Sequence, residues 1–215
     1  LRRAVGPMRP AGASGFLRGG GPPTGFPLVE VLACLALLGI PVAVSVPLLA
    51  DTVARERLRA AGWETALLLR GLRQRSITER LGFGLRFVQA GGVWSYCLYR
   101  DGNGNGIRTA DILSGRDPLL LGPEEPGMRH EGIRFGLPSS PVPQIPPSTG
   151  PIPNPSDPIK FGTSDIVSFS PSGSISSGTV YLTDGRRAAA VVVYGPTGRI
   201  RAFRFDPASG WRQAP

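Results

Sequence analysis

The hydrophobic pattern changes character once along the chain. From Phe26 to Ala50 it reads FPLVEVLACLALLGIPVAVSVPLLA, with Glu30 the sole charged side chain and Ser45 the sole other polar one. At 1.5 Å per residue, a helix of that length reaches about 37 Å, enough to cross a hydrocarbon core about 30 Å thick. A polar run, Asp51 to Arg59, follows without a break signal. Leu58, Ala61, Thr65, Leu68 and Leu72 then recur at alternating spacings of three and four residues. That periodicity predicts an amphipathic continuation of the helix, packed against the protein's own sheet. It is expected to end near Arg80 to Gly82, where glycine permits a left-handed cap.

Beyond Gly82 the period shortens to two. Phe83 to Val88 and Val93 to Tyr99 flank Gly91-Gly92, which predicts a hairpin. Asp117 to Leu121 and Met128 to Leu137 supply two more strand candidates. Nine prolines then fall in the 21 residues from Pro138 to Pro158, which predicts an extended surface loop inserted between strands. From Ile166 four runs (Ile166–Ser170, Gly178–Thr183, Arg187–Tyr194 and Arg199–Phe205) are joined by three turns, which predicts an antiparallel meander. Val191 to Val193 is apolar without alternation, as expected of a strand covered on both faces. The fold class predicted is α+β, one long N-terminal helix on antiparallel sheets.

Composition narrows the chemistry. The formal charge is +9, from 24 basic and 15 acidic residues, and Lys160 is the sole lysine. Four arginines (Arg2, Arg3, Arg9 and Arg18) precede Gly25 with no acid among them, which suits retention on the cytoplasmic side. Without them 20 basic residues face 15 acidic ones, a charge of +5. The chain begins with Leu1, and Met8 is an alternative start. The two cysteines, Cys34 in the apolar run and Cys97 in a predicted strand, are expected to be free. One histidine, His130, excludes His-based metal sites and disfavours a Ser-His-Asp or Cys-His nucleophile. It is expected at a surface or strand edge, and an enzyme is not expected.

Asp101-Gly102-Asn103-Gly104-Asn105-Gly106 matches the first half of an EF-hand-type loop, with oxygen donors at every second residue. The twelfth position is Ile112 rather than glutamate, although Asp111 lies one residue short. Two readings stand: a turn whose side chains cap their own backbone, or a weak Ca²⁺ site formed by Asp101, Asn103, Asn105 and Asp111.

The stretch Gly25-Phe26-Pro27-Leu28-Val29-Glu30 resembles the processing site of type IV prepilins and type II secretion pseudopilins. A secretory signal would have a shorter apolar run with its small-residue cleavage site after it, whereas here Gly25 precedes the run. Phe169-Ser170-Pro171-Ser172-Gly173, Gly178-Thr179-Val180 and Gly198-Arg199-Ile200-Arg201 resemble the C-terminal half of the GspH/FimT family. The likeness implies a pilin-like fold of a long helix on two antiparallel sheets. It divides the chain into a leader (1–25), a transmembrane half-helix (26–50), an amphipathic half (51–81) and a β-rich head (82–215) with a Pro-rich loop (138–160). It implies cleavage after Gly25 by a prepilin peptidase, N-methylation of Phe26, and an assembly role for Glu30. Pro27 stands where the family usually has Thr or Ser, and Pro41 is an additional helix breaker. The implied protein is a single-pass inner-membrane subunit, its head outside the cytoplasm. It would be a minor pseudopilin working with other pseudopilins or pilins and an inner-membrane assembly platform. The alternative is a FimT-like minor pilin that binds DNA during uptake through Arg199 and Arg201, with Arg204 and Arg212 nearby.

Overall fold

The computed structural model describes residues 27–214, leaving the side chains of residues 39, 41–44 and 46–48 outside that description. Gly25 and Phe26, the expected processing site, also lie outside it. The chain divides between Val46 and Pro47 into two units.

Helix α1 spans Leu28–Glu79, 52 residues. It begins directly after Pro27, whose carbonyl accepts the Glu30 N–H at 2.9 Å. Proline suits this place because the earliest helical positions have no intrahelical N–H bond to lose. Among the described residues no helix is long and apolar enough to cross a membrane. The apolar run of the sequence extends over residues outside them, so the spanning segment stays an expectation of the sequence. The described apolar side chains of the first unit face outward, with Leu28 79%, Leu32 55% and Leu38 63% exposed.

In the second unit the stripe turns inward. Leu58, Ala61 and Leu72 of the expected stripe are buried, but Thr65 and Leu68 are only half-buried. Ala66 and Leu69, one residue further on, take their places in the core, with Ser76 closing the row. The Ser76 hydroxyl hydrogen-bonds to the carbonyls of Leu81 (2.9 Å) and Phe169 (3.2 Å), so this polar group is satisfied inside the core. Arg80, not a glycine, takes the left-handed conformation after the helix, at φ 55°. Gly82 serves a different need: a Cβ there would lie 2.7 Å from that of Asp101.

Two antiparallel sheets pack on this half of α1. The first is built from β1 (Phe83–Ala90), β2 (Val93–Arg100), β3 (Leu119–Glu124) and β6 (Ile166–Phe169), in the order β3-β2-β1-β6. The β1–β2 hairpin closes as expected, with Ala90 opposite Val93 and both turn glycines at positive φ (57° and 82°). That geometry is open to glycine and matches the strand twist. A short helix, α2 (Thr109–Leu113), separates β2 from β3, and β4 (Arg134–Phe135) and β5 (Ile159–Lys160) are two residues each. Only Arg134–Phe135 of the strand expected over Met128 to Leu137 forms. Residues 126–128 coil into a 3-10 turn, and residues 129–132 continue as turns closed by the His130 N–H on the Pro126 carbonyl and the Ile133 N–H on the His130 carbonyl.

The second sheet contains β7 (Gly178–Thr183), β8 (Ala188–Tyr194), β9 (Arg199–Asp206) and β10 (Gly210–Gln213), in the order β10-β9-β8-β7-β4, with β5 also pairing β7. The meander expected from Ile166 onward is corrected at its first strand. β6 joins the other sheet, pairing Phe169 with Phe83 and Val167 with Leu85. All four side chains are buried in the core, which favours that pairing over the local one.

Alternation across β8 places Ala189, Val191 and Val193 in the core under α1, and Ala188, Ala190 and Val192 in a second core on the outer face. The expectation of a strand covered on both faces holds. The outer cover is the Pro-rich loop itself. Val142, Ile145 and Ile152 are buried against Tyr181 and Val192, and the Trp211 indole N–H donates to the Pro143 carbonyl at 2.7 Å. A segment expected to lie extended on the surface is a lid on the sheet instead. Its apolar residues, spaced between prolines, supply the area that holds it there.

Candidate functional site

Three groups of residues were singled out by sequence, and the structure treats each differently.

Glu30 stands in the first turn of α1, exposed, with Leu28, Val29 and Leu32 around it. It has no ion-pair partner among the described residues. A carboxylate at a helix N-terminus is favoured by the helix dipole and is fully available to an outside cation.

Arg199 and Arg201 are brought together. The chain turns through a 3-10 segment, Gly195–Thr197, and Gly198 caps it at φ 63° before β9 begins. Arg199 lies opposite Tyr194 and Arg201 opposite Val192, so both occupy the outer face of the sheet. With Tyr194, Pro196 and Thr197 they line a surface depression of about 390 Å³. Neither guanidinium is in an ion pair among the described residues. Arg204, three residues beyond Arg201, falls on the opposite, helix-facing side and is paired in register with Arg212. The four arginines expected near one another therefore form two pairs on two faces. β9 is also tied to the helix: the Arg70 guanidinium donates to the Ile200 carbonyl at 2.7 Å.

Asp101, Asn103, Asn105 and Asp111 share one loop. The Asp101 carboxylate accepts the amides of Asn103 (3.1 Å) and Gly104 (2.7 Å) on one oxygen and Gly106 (2.7 Å) on the other. Asn105 donates to Asp111 at 3.1 Å, and Arg116 lies 3.3 Å from the other Asp111 oxygen. The Asn105 amide, and behind it Arg116, hold the Asp111 carboxyl below its ordinary range. Asp117 completes the loop, accepting the amides of Gly102 (3.1 Å) and Arg108 (3.3 Å). Sequence reading placed Asp117 at a strand start, although the Asp-Pro pair is a turn signal. Among the described residues no three His, Cys, Asp or Glu side chains converge as a metal site. The geometry supports the self-capping turn of the two readings.

His130, expected at a surface or strand edge, is partly exposed and also meets the helix, its Nε2 2.7 Å from a Glu64 carboxylate oxygen. Arg129 pairs with the other oxygen. Burial works to raise the Glu64 carboxyl, but the hydrogen bonds from His130 and Arg129 outweigh it and hold it below its ordinary range. Cys34 is exposed and Cys97 buried, both as free thiols.

These residues belong to an α+β protein with an N-terminal helix and antiparallel sheets. Comparison with family models, curated proteins and solved structures returned no match.

Proposed function

We propose that this chain is a structural subunit of a membrane-anchored filament, a pseudopilin of a type II secretion system. One observation carries the reading: α1 changes from outward-facing leucines with a lone carboxylate to a buried stripe under two sheets. An apolar helix surface that nothing among the described residues covers is stabilised by lipid or by other apolar helices. The second unit has a complete core of its own and needs no such cover. The division matches the resemblance of the Gly25–Glu30 stretch to prepilin processing sites.

The same division gives Glu30 its role. Bundled among apolar helices, its charge would be costly without a cation, and the methylated amine of a neighbouring Phe26 is the partner the resemblance implies. Glu30→Ala is expected to block incorporation into the filament while leaving cleavage after Gly25 intact. Unchanged incorporation would remove Glu30 from assembly.

A second reading, DNA binding by a pilus subunit, is favoured by Arg199, exposed, and Arg201, half-buried, on one face of the sheet and in no ion pair among the described residues. Guanidinium groups so placed hold phosphates without reading sequence. Electrophoretic shift of the chain with duplex DNA, at low and high salt, tests it. Loss of the shift in Arg199→Ala/Arg201→Ala supports uptake, and no shift at any salt ends it.

A further inference from the structure

Two surfaces on the head have no explanation in the fold. The first is a groove of about 450 Å³ between α1 and the second sheet. Its floor includes Gly62, Ala189 and Ala202, small residues that leave the space open, and around them Arg59, Arg186 and Arg204, with Arg55 and Arg187, outnumber the acids Glu56 and Asp206. Arg59 is paired loosely with Glu56 at 3.5 Å, whereas Arg186 and Arg204 are exposed and in no ion pair among the described residues. The second is the edge strand β3. Leu119, Leu120 and Leu121 are 52%, 42% and 43% exposed, and Glu124 and Glu125, just beyond them, are in no ion pair among the described residues. Exposed leucines on a strand edge are a pairing liability unless something covers them.

The two surfaces lie on opposite flanks of the helix. At about 100° per residue, Arg55, Arg59 and Gly62 fall to one side of the buried stripe through Leu58, Leu69 and Leu72. Ala61, Glu64 and Leu68, which border the hollow containing Leu121, Glu124 and Glu125, fall to the other. An apolar edge followed by two acids thus lies on the opposite flank of the helix from a groove with a small-residue floor and an excess of arginines on its lining.

We propose that the groove receives the Leu119–Glu125 edge of a second copy of this chain, leucines on the small-residue floor and Glu124 and Glu125 against Arg186 and Arg204. Groove and edge are different patches, so the contact is heterologous, and its repetition builds an open polymer rather than a closed dimer. The inference rests on the filament reading and names the head contact that reading lacks.

The test uses the full chain in its own membranes, with Cys34 and Cys97 replaced by alanine and Leu120→Cys and Arg204→Cys introduced singly and together. Under oxidation the double variant gives a ladder of multimers, the two single variants expressed together give dimers only, and each alone gives none. In the cysteine-free chain, Arg186→Glu/Arg204→Glu lowers formaldehyde-cross-linked multimers about tenfold, and adding Glu124→Arg/Glu125→Arg restores them. Formaldehyde multimers without a Leu120→Cys to Arg204→Cys disulfide overturn the groove contact and leave the filament reading standing. Absence of multimers under both chemistries overturns the two together. If the arginine changes alter only co-purifying anionic phospholipid and leave multimers unchanged, the groove belongs to lipid and the proposal fails.

Discussion

The Arg70 guanidinium donates to the carbonyl of Ile200 at 2.7 Å, joining the helix to the residue between Arg199 and Arg201. Hydrogen bonds from charged donors contribute more than neutral ones, so Arg70→Ala is expected to destabilise the head by about 1–3 kcal/mol. Thermal unfolding of the detergent-solubilised chain measures it. An unchanged midpoint would mean that β9 is held by the sheet alone.

Gly198 is the second constraint on that strand. Its φ of 63° is strained for any residue with a side chain, and a Cβ would sit 2.6 Å from the Arg73 guanidinium carbon. Arg73 would then have to give up its 3.0 Å hydrogen bond to the Gly173 carbonyl. Gly198→Val is expected to lower stability by more than about 1 kcal/mol, whereas Gly→Val at an unstrained, open position would not. A thermal midpoint equal to that of the parent chain would contradict the turn geometry.

Glu64 gives the fold a pH dependence of known sign. Its folded-state carboxyl is held below the ordinary value, so its contribution is complete above the unfolded-state value and disappears as pH falls through the lower, folded one. The contact is partly exposed, so the contribution is under about 1 kcal/mol. Glu64→Gln is expected to melt below the parent at neutral pH and to converge with it in acid. A gap that stayed constant down the titration would assign the effect to packing.

How much of this was legible beforehand depended on range. The Gly91-Gly92 hairpin, the amphipathic character of the helix and the doubly covered Val191–Val193 run follow from spacing within a few residues, although the buried stripe runs through Ala66 and Leu69 rather than Thr65 and Leu68. The partner of β6 does not: Phe169 meets Phe83 across more than eighty positions, and local turns pointed to β7 instead. The lid made by Val142, Ile145 and Ile152 was hidden by its own prolines, which signal loop but say nothing of what the loop covers. Asp117 was missed because its task, holding the amides of Gly102 and Arg108, depends on a loop closing upon itself. For Arg204, alternation alone should have shown that it faces away from Arg199 and Arg201. β10 follows the Pro207-Ala208-Ser209 turn and pairs too briefly for its period to show.

The Asp101 loop separates its two readings by titration. Asp101→Ala strands three backbone amides and is expected to cost about 1–3 kcal/mol. With both carboxylate oxygens already accepting amides, calcium near the millimolar limit of weak sites is expected to leave the thermal midpoint of the parent chain unchanged. A calcium-dependent rise that Asp101→Ala abolishes would place an ion in the loop.

Buried-core arithmetic offers a check on the head's independence. Leu69 is fully buried at the centre of the shared core, so Leu69→Ala is expected to lose about 2–5 kcal/mol in the same melt. A loss below 1 kcal/mol would mean that the helix is only loosely applied to the sheets.

The account as a whole turns on how the chain begins once it reaches the membrane. Intact-mass and N-terminal peptide mass spectrometry of the membrane-extracted protein is expected to find a mature chain starting at methylated Phe26. A chain that retains the residues before Gly25, or one cut elsewhere, would contradict the filament subunit and leave a tethered β-rich head.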